Sequence, residues 1–408
     1  MSTTRINALS RPRGVRYECE LCGKEAKLKC NECPTYYCGP EHFDQDWRGI
    51  RQHIVEDTAL LREKPRTLGS DEERRKREAE LIGIRGEVRE ICSETAQRAL
   101  VQGEYYLAIP AALQSLKLSI EVHGPESTEL VGSYLLLAEC NLGLGRLQAT
   151  EEFLGLGKWI LLKSSKDAGV GHLALVSAMQ RNFGRLYVAQ GKYVEALRAF
   201  AEDCHQTSGR FGPSDPRTAP CYFHMGRVFQ AMGEELKAKS FYGRVILIYS
   251  QWLENAIDNR EWLPIALRRS GGLLGRRPVS IDRRYSAYEW MIETSCEGYD
   301  RTVVSLSPVE LDECLDILGH ILNHHQQQQA AGSERESDVA RTQYVLSLMK
   351  FYTGKDLPMA QKYMVAADEY FQSNEGSTDN LEEMKAKTGH YRILLFDATT
   401  PAPLPCES

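Results

Sequence analysis

"GRLYVAQGKYVEALRAFAED", residues 184–203, decides the fold, because three other stretches of the chain superimpose on it. They are "AQRALVQGEYYLAIPAALQSL" (96–116), "AECNLGLGRLQATEEFLGLGK" (138–158) and "GRVFQAMGEELKAKSFYGRV" (226–245). Aligned, their turn glycines fall at Gly103, Gly145, Gly191 and Gly233, with spacings of 42, 46 and 42 residues. Seven positions before each glycine stands Ala96, Ala138, Gly184 or Gly226, and five after it stands Ala108, Thr150, Ala196 or Ala238. Two antiparallel helices approach closely only where neither carries a bulky side chain at the crossing, so small residues pin the crossing while Leu, Phe and Tyr fill the space around it. A recurring helix–turn–helix unit predicts a mainly α stack of paired helices.

The pattern resembles the tetratricopeptide repeat. Tyr105 and Tyr193 match the aromatic residue that begins its second helix, and Tyr187 and Phe229 match the aromatic of its first helix. Thr150 departs from the usual alanine, and Asp203 and Val245 occupy a position that is usually small. Tetratricopeptide units run to about 34 residues, so the longer period here implies lengthened helices or longer connections between repeats. "HGPESTEL" (123–130) and "FGPSDPRT" (211–218) read as such connections, since Gly-Pro ends a helix. The long units resemble the repeats of kinesin light chains.

Four repeats are therefore expected over 89–250, preceded by a disordered 1–16, a cysteine-rich module at 17–57 and a connecting helix at 58–88. Residues 251–306 match the repeat poorly and contain three arginine pairs in "RRSGGLLGRRPVSIDRRY". Degenerate repeat helices follow at 307–372. There Gly354 comes one position early, and Leu348 stands where a small residue belongs unless Ser347 takes its place. "HHQQQQAAGSERESD" (324–338) reads as a low-complexity linker, and 373–408 as a C-terminal helix with a disordered tail.

Five of the twelve cysteines lie in "YECELCGKEAKLKCNECPTYYCGPEHFDQDWRGIRQHIVED", residues 17–57. Cys19 and Cys22 form one C-x2-C pair and Cys30 and Cys33 a second, while Cys38 and His42, like His53 and Asp57, stand four apart. A C-x2-C turn places two thiolates on one side of a metal, and residues four apart on a helix share a face, so each pair supplies half a tetrahedron. A module this short has little apolar core, whereas structural zinc contributes about 10–16 kcal/mol in small fingers. Two zinc ions are expected. A redox C-x-x-C lacks the βαβ surroundings it needs and leaves the second pair and the histidines unexplained.

The order of these ligands resembles the MYND zinc finger, in which interleaved pairs bind two ions. The resemblance implies one site from Cys19, Cys22, Cys38 and His42 and another from Cys30, Cys33, His53 and Asp57. His42 stands where most such fingers have cysteine, and Asp57 stands where the last cysteine is expected, so the second site is the weaker or three-liganded one. Such fingers commonly bind short proline-containing peptides, for which Tyr37 and Trp47 are the aromatic candidates. Residues 17–57 carry a net charge of −4, which argues against phosphate contact.

The whole chain has a formal net charge of −6 over 408 residues, too small for a global argument about nucleic acid or anionic membrane. The first sixteen residues lack the apolar core of a signal peptide, and no run is long enough to span a bilayer. A soluble cytoplasmic protein follows, with reduced thiols. Cys92, Cys140, Cys204, Cys221, Cys296 and Cys314 are then expected as buried small hydrophobes. On the inner face of the stack, Arg181, Asn182, Arg185, Phe223, His224 and Arg227 are candidates for binding an acidic segment of a partner protein.

No nucleophile with its base, paired acid pocket or phosphate loop stands out, so no enzyme and no small-molecule substrate is expected. A SET-type lysine methyltransferase would need a catalytic domain that the repeats leave no room for. An adaptor or transcriptional cofactor of the MYND type is the remaining alternative. The combination of finger, helical connector and long repeats resembles the zinc finger MYND domain-containing protein 12 family, through "PAALQSL", "YLLLAE" followed by "LGLGR", and "TYYCG". That resemblance implies a scaffold of motile cilia or sperm flagella, in the cytoskeleton of the axoneme. Its implied partners are inner dynein arm components and another tetratricopeptide protein, with neither nucleic acid nor membrane.

Overall fold

The structure, a computed structural model, describes residues 3–7, 15–63, 70–164, 170–258, 306–330, 336–374 and 379–397. Among these residues it is mainly α, a consecutive series of packed helix pairs behind a small N-terminal module. They fall into two compact units, one ending at Asp203 and the other beginning at Cys204.

The first unit opens with three short antiparallel strands in the order β1 (Thr3–Arg5), β2 (Leu28–Cys30), β3 (Tyr36–Tyr37), with Thr3 opposite Cys30 and Leu28 opposite Tyr37. This corrects the expectation of a disordered 1–16: Thr3–Arg5 form an edge strand, and the Ile6 N–H donates to Lys27 O at 2.9 Å. The β-branched pair Thr3 and Thr4 suits that pleated edge. Helices α1 (Pro40–Gly49) and α2 (Val55–Leu61) follow, separated by a one-turn 3-10 segment at Arg51–His53.

Helix α3 (Asp71–Val101) begins at a capping box: the Glu73 N–H donates to Ser70 Oγ at 3.2 Å, and the Ser70 N–H to Glu73 Oε2 at 2.9 Å. It runs 31 residues without a break, so the expected connector at 58–88 is not a separate helix. Its C-terminal turns are the first helix of the first repeat; Gly83 and Gly86 lie inside it, but the strong helix formers around them carry the helix through. Then come α4 (Tyr105–His123), α5 (Leu130–Gly143), α6 (Leu147–Ser164), α7 (Val170–Ala189) and α8 (Tyr193–Phe211), in whose length the unit boundary falls.

Each predicted turn glycine has a left-handed backbone, with φ of 74° at Gly103, 71° at Gly145, 73° at Gly191 and 76° at Gly233. Every one is followed by the same six-residue closure: Glu104 N–H to Ala99 O, Arg146 N–H to Asn141 O, Lys192 N–H to Tyr187 O, and Glu234 N–H to Phe229 O, at 2.8–2.9 Å. These are Schellman caps, and only glycine takes that φ without strain. The small crossing residues are also required. A Cβ on Gly184 would stand 2.5 Å from the Phe200 ring, and one on Gly226 would stand 2.7 Å from the Tyr242 ring. Thr150, the departure from alanine, is buried but donates to Arg146 O at 3.0 Å.

In the second unit α9 (Ala219–Ala231) follows the "FGPSDPRT" connection, and α10 (Glu235–Asp258) is extended to 24 residues. Of the poorly matched 251–306, residues 251–258 continue α10 and 259–305 lie outside the described residues. Helices α11 (Pro308–Ala330), α12 (Glu336–Thr353), α13 (Leu357–Ser373) and α14 (Asp379–Asp397) complete the unit. Tyr242, Tyr249 and Leu253 of α10 share one core with Ile317 and Ile321 of α11, Tyr344 and Leu348 of α12, and Tyr391 of α14.

The linker expected at 324–338 is corrected by α11, which is helical through Ala330. His324 and His325 are buried there, their rings 5.2 and 6.4 Å from the Tyr242 ring. Four glutamines are good helix formers, and the two imidazoles have a core to enter, which a compositional reading cannot register. The early Gly354 is also resolved. Its φ is 63°, and the extra residue before α13 is taken up by Asp356 at φ 53°, while Ser347 Oγ, not Leu348, makes the crossing contact by donating to Ala360 O at 2.7 Å.

Candidate metal centre

The turn closed by the Glu18–Glu25 bridge supplies Cys19 and Cys22, the end of β3 supplies Cys38 and the first turn of α1 supplies His42. One donor atom of each lies within 4.8 Å of all the others, and this is the sole group of three or more such residues that meets that distance among the described residues. Cys19 Sγ is 3.3 Å and Cys38 Sγ 3.2 Å from His42 Nδ1, and Cys22 Sγ is 3.7 Å from Cys38 Sγ. Ideal tetrahedral zinc bonds would put two sulfurs about 3.8 Å apart and sulfur and nitrogen about 3.6 Å apart, so the donors are spaced for an ion of this kind. Their electrostatics agree. Burial, then crowding by Cys22 and Cys19, pushes the Cys38 thiol up to about 11, a cost that a cation between them would remove. At Cys22 burial is outweighed by hydrogen bonds from the Lys24 backbone and from Cys19 and Cys38, and the thiol is lowered.

The second set is not drawn together in the same way. Cys30 and Cys33 are buried, whereas His53 is exposed, with its Nε2 3.1 Å from Gln52 Nε2. The four-residue spacing of His53 and Asp57 suggested one helix face, but Ile54 at φ −128°, ψ 21° separates the 3-10 turn holding His53 from α2, which holds Asp57. Cys33 Sγ instead lies 3.2 Å from Thr35 Oγ1, which is 3.1 Å from the Tyr37 hydroxyl. Burial raises the Cys33 thiol to about 11; the Thr35 hydroxyl and the Arg51 charge pull it down, and Cys30 adds to the rise.

Two aromatic residues proposed as peptide contacts are core residues. Tyr37 is fully buried and donates to Asp46 Oδ2 at 2.5 Å, and Trp47 packs with its ring 5.8 Å from Phe43. Asp46 also accepts from Arg51 Nε at 2.9 Å, and Arg51, 1% exposed, donates from Nη1 to Thr58 Oγ1 at 3.1 Å.

The module is fixed to the first repeat. Ile50 and Ile54 are fully buried in one core with Val88, Cys92 and Ala96 of α3 and Ala108 and Ala112 of α4. Pro110 lies inside α4 and has no N–H, so Tyr106 O, four residues earlier, lacks its helical donor. Gln45 of α1 supplies one, its Nε2 donating to Tyr106 O at 2.7 Å. The close approach needs Gly49: a Cβ there would stand 2.6 Å from Leu107 O and 3.0 Å from the Pro110 ring. A second tie joins Glu20, which accepts from Arg62 at 2.7 and 3.0 Å, to α4, where Lys117 donates to it at 3.2 Å. Burial works against its charge, but Arg62 and Lys117 outweigh it and hold the carboxyl down at about 2. Gln45, Asp46 and Arg51 were not singled out from sequence. The available signal was Pro110, since a proline within an apolar helical pattern announces a carbonyl that something must satisfy.

The six groove candidates are largely engaged within their own units. Arg181 donates to Asp203 at 2.9 Å, and Asp203 is fully buried with the Ser177 hydroxyl also upon it, so the odd carboxylate in a small-residue position has partners. Arg185 pairs with Glu139 at 3.5 Å, and Asn182 is buried and donates to Glu139 at 3.0 Å. Phe223 is buried, 6.0 Å from the Tyr242 ring and 5.9 Å from His320, with His224 beside it. The expectation of an exposed face therefore fails at Asn182 and Phe223, which face neighbouring helices. Arg227 is exposed and sits over Phe223 at 5.9 Å.

Of the scattered cysteines, those described take part in no disulfide: Cys92, Cys140, Cys221 and Cys314 are buried and Cys204 is half-buried, while Cys296 lies outside the described residues. No helix among the described residues is long and apolar enough to cross a membrane.

Taken together, the described residues define a mainly α protein of packed helix pairs carrying a Cys3His cluster suited to a metal ion at its N-terminal end. No family model matches the sequence. Among solved structures, the chain is similar to the crystal structure of BtubC (BKLC) from P. vanneervenii. Identity is 14%, with 88% of this chain and 96% of that chain covered, and the TM-score of 0.38 is too low to carry an argument.

Proposed function

We propose that the protein is a non-catalytic scaffold that binds other proteins along its stacked helix pairs, with structural zinc at Cys19, Cys22, Cys38 and His42. The observation that carries this is the repetition of one hairpin design, with the same left-handed glycine and the same closing hydrogen bond five times among the described residues, at Gly103, Gly145, Gly191, Gly233 and Gly354. Repeated hairpins build extended surfaces, which suit protein recognition better than small-molecule chemistry. The finger serves the stack: Tyr37, Phe43 and Trp47 pack in its own core, and Ile50 and Ile54 pack on α3 and α4. A peptide-reading cofactor role therefore has less to support it than a structural one.

Placement in the axoneme of motile cilia or flagella, beside inner dynein arms and another tetratricopeptide protein, rests on the family resemblance of the finger-plus-repeat order. The test is a tagged full-length chain expressed in ciliated cells, followed by detergent extraction and crosslinking of isolated axonemes. Retention with the axoneme, with crosslinks from α3–α14 to dynein-arm proteins, supports the assignment. A tagged chain wholly in the detergent-soluble fraction overturns it.

A further inference from the structure

We propose that the finger holds one zinc ion rather than two, and that its Cys30–Cys33 lobe is braced by the buried Arg51 network in place of a second ion. This rests on the reading that the first four ligands bind zinc. The ligand order invites a second site, but the chain has departed from it in three linked ways. The last thiol is replaced by the carboxylate of Asp57. The 3-10 turn and Ile54 take His53 off the helix that carries Asp57, and His53 is exposed against Gln52. Cys33, finally, is within hydrogen-bond distance of Thr35, the first member of a chain that continues through Tyr37 and Asp46 to Arg51.

Arg51 is the decisive residue. Its guanidinium is buried and is held by Asp46 and Thr58. Arginine cannot shed its charge, and the Asp46 carboxylate at 2.9 Å balances it, so the lobe is braced by a buried ion pair that needs no metal to neutralise it. The network also performs the mechanical task of a metal. It ties β3, α1, the 3-10 turn and α2 together through buried, charge-assisted hydrogen bonds.

The test is metal content of the reduced full-length chain by elemental mass spectrometry, with cobalt(II) titration of the metal-free chain as a second count. One equivalent is expected. It should be retained in Cys30→Ser/Cys33→Ser and lost in Cys19→Ser/Cys22→Ser. Two equivalents in the wild-type chain, or one that follows Cys30 and Cys33, overturns the inference, and near zero overturns the zinc reading itself. If the Cys30/Cys33 variant does not fold, saturation of wild-type cobalt absorbance at one or two equivalents decides. For Arg51, hydrogen exchange of the Ile54 and Thr58 amides should stay protected after chelation in the wild type. In Arg51→Gln they should lose protection while one zinc remains. Protection that disappears with the metal in the wild-type chain refutes the role given to Arg51.

Discussion

Gln45 and Pro110 offer a quantitative test of how the finger is joined to the repeats. Replacing Gln45 by Leu removes the donor at 2.7 Å from Tyr106 O, and Pro110 ensures that no helical N–H can take its place. Leaving a buried carbonyl without a partner costs about 1–3 kcal/mol, and here about 1.5 kcal/mol is expected because the contact is only partly buried. In a Pro110→Ala background the new N–H reaches Tyr106 O in the ordinary helical way, so the same Gln45→Leu change should cost less by about 1 kcal/mol. Pro110→Ala alone has opposing effects: it relieves the helix penalty but removes a ring that packs on Gly49. The coupling energy is therefore the quantity to measure. Urea unfolding of the four chains of the cycle, followed by far-ultraviolet circular dichroism and tryptophan emission, provides it. A coupling below about 0.3 kcal/mol, within the error of such a cycle, would refute the claim that Gln45 satisfies the carbonyl orphaned by proline.

Three further outcomes follow from the same structure. Glu20 has its carboxyl held near 2 rather than the ordinary 4.5, so its ion pairs contribute fully above about pH 4.5 and that contribution fades as pH falls toward 2. Glu20→Gln should lower stability by about 2 kcal/mol at pH 7, discounted for the partly exposed partners, with the gap to wild type closing below pH 4.5; a gap independent of pH contradicts this. Gly226→Val would drive a Cβ to 2.7 Å from the Tyr242 ring, and a loss of about 2–3 kcal/mol is expected by thermal unfolding. A neutral result would show that α9 and α10 can separate without penalty. Asp203→Ala leaves Arg181 without its carboxylate in a site where Asp203 is fully buried, and should cost about 3 kcal/mol, while Asp203→Ala/Arg181→Met should recover part of it; no recovery would mean that the pair is not the source.

Local sequence determined the parts of this protein that depend on backbone geometry within one turn. Gly103, Gly145, Gly191 and Gly233 stand where the chain must adopt positive φ, Ser70 and Glu73 form a reciprocal cap, and Gly184 and Gly226 leave room for a ring. The grouping of Cys19, Cys22, Cys38 and His42 was legible for a related reason, since a C-x2-C turn and a helical i, i+4 pair each prearrange two donors before any long-range contact forms. Tertiary structure decided everything in which a residue's meaning depends on what arrives from elsewhere. His53 and Asp57 have helical spacing, but the docking of Ile50 and Ile54 into α3 and α4 accompanies a break between them. His324 and His325 look like part of a polar tract until Tyr242 packs against them, and Asn182 and Phe223 look like surface until neighbouring helices cover them. A one-dimensional pattern records periodicity and turn chemistry. Which face is covered, and by what, is fixed only when distant segments compete to bury apolar area and to satisfy the same polar groups.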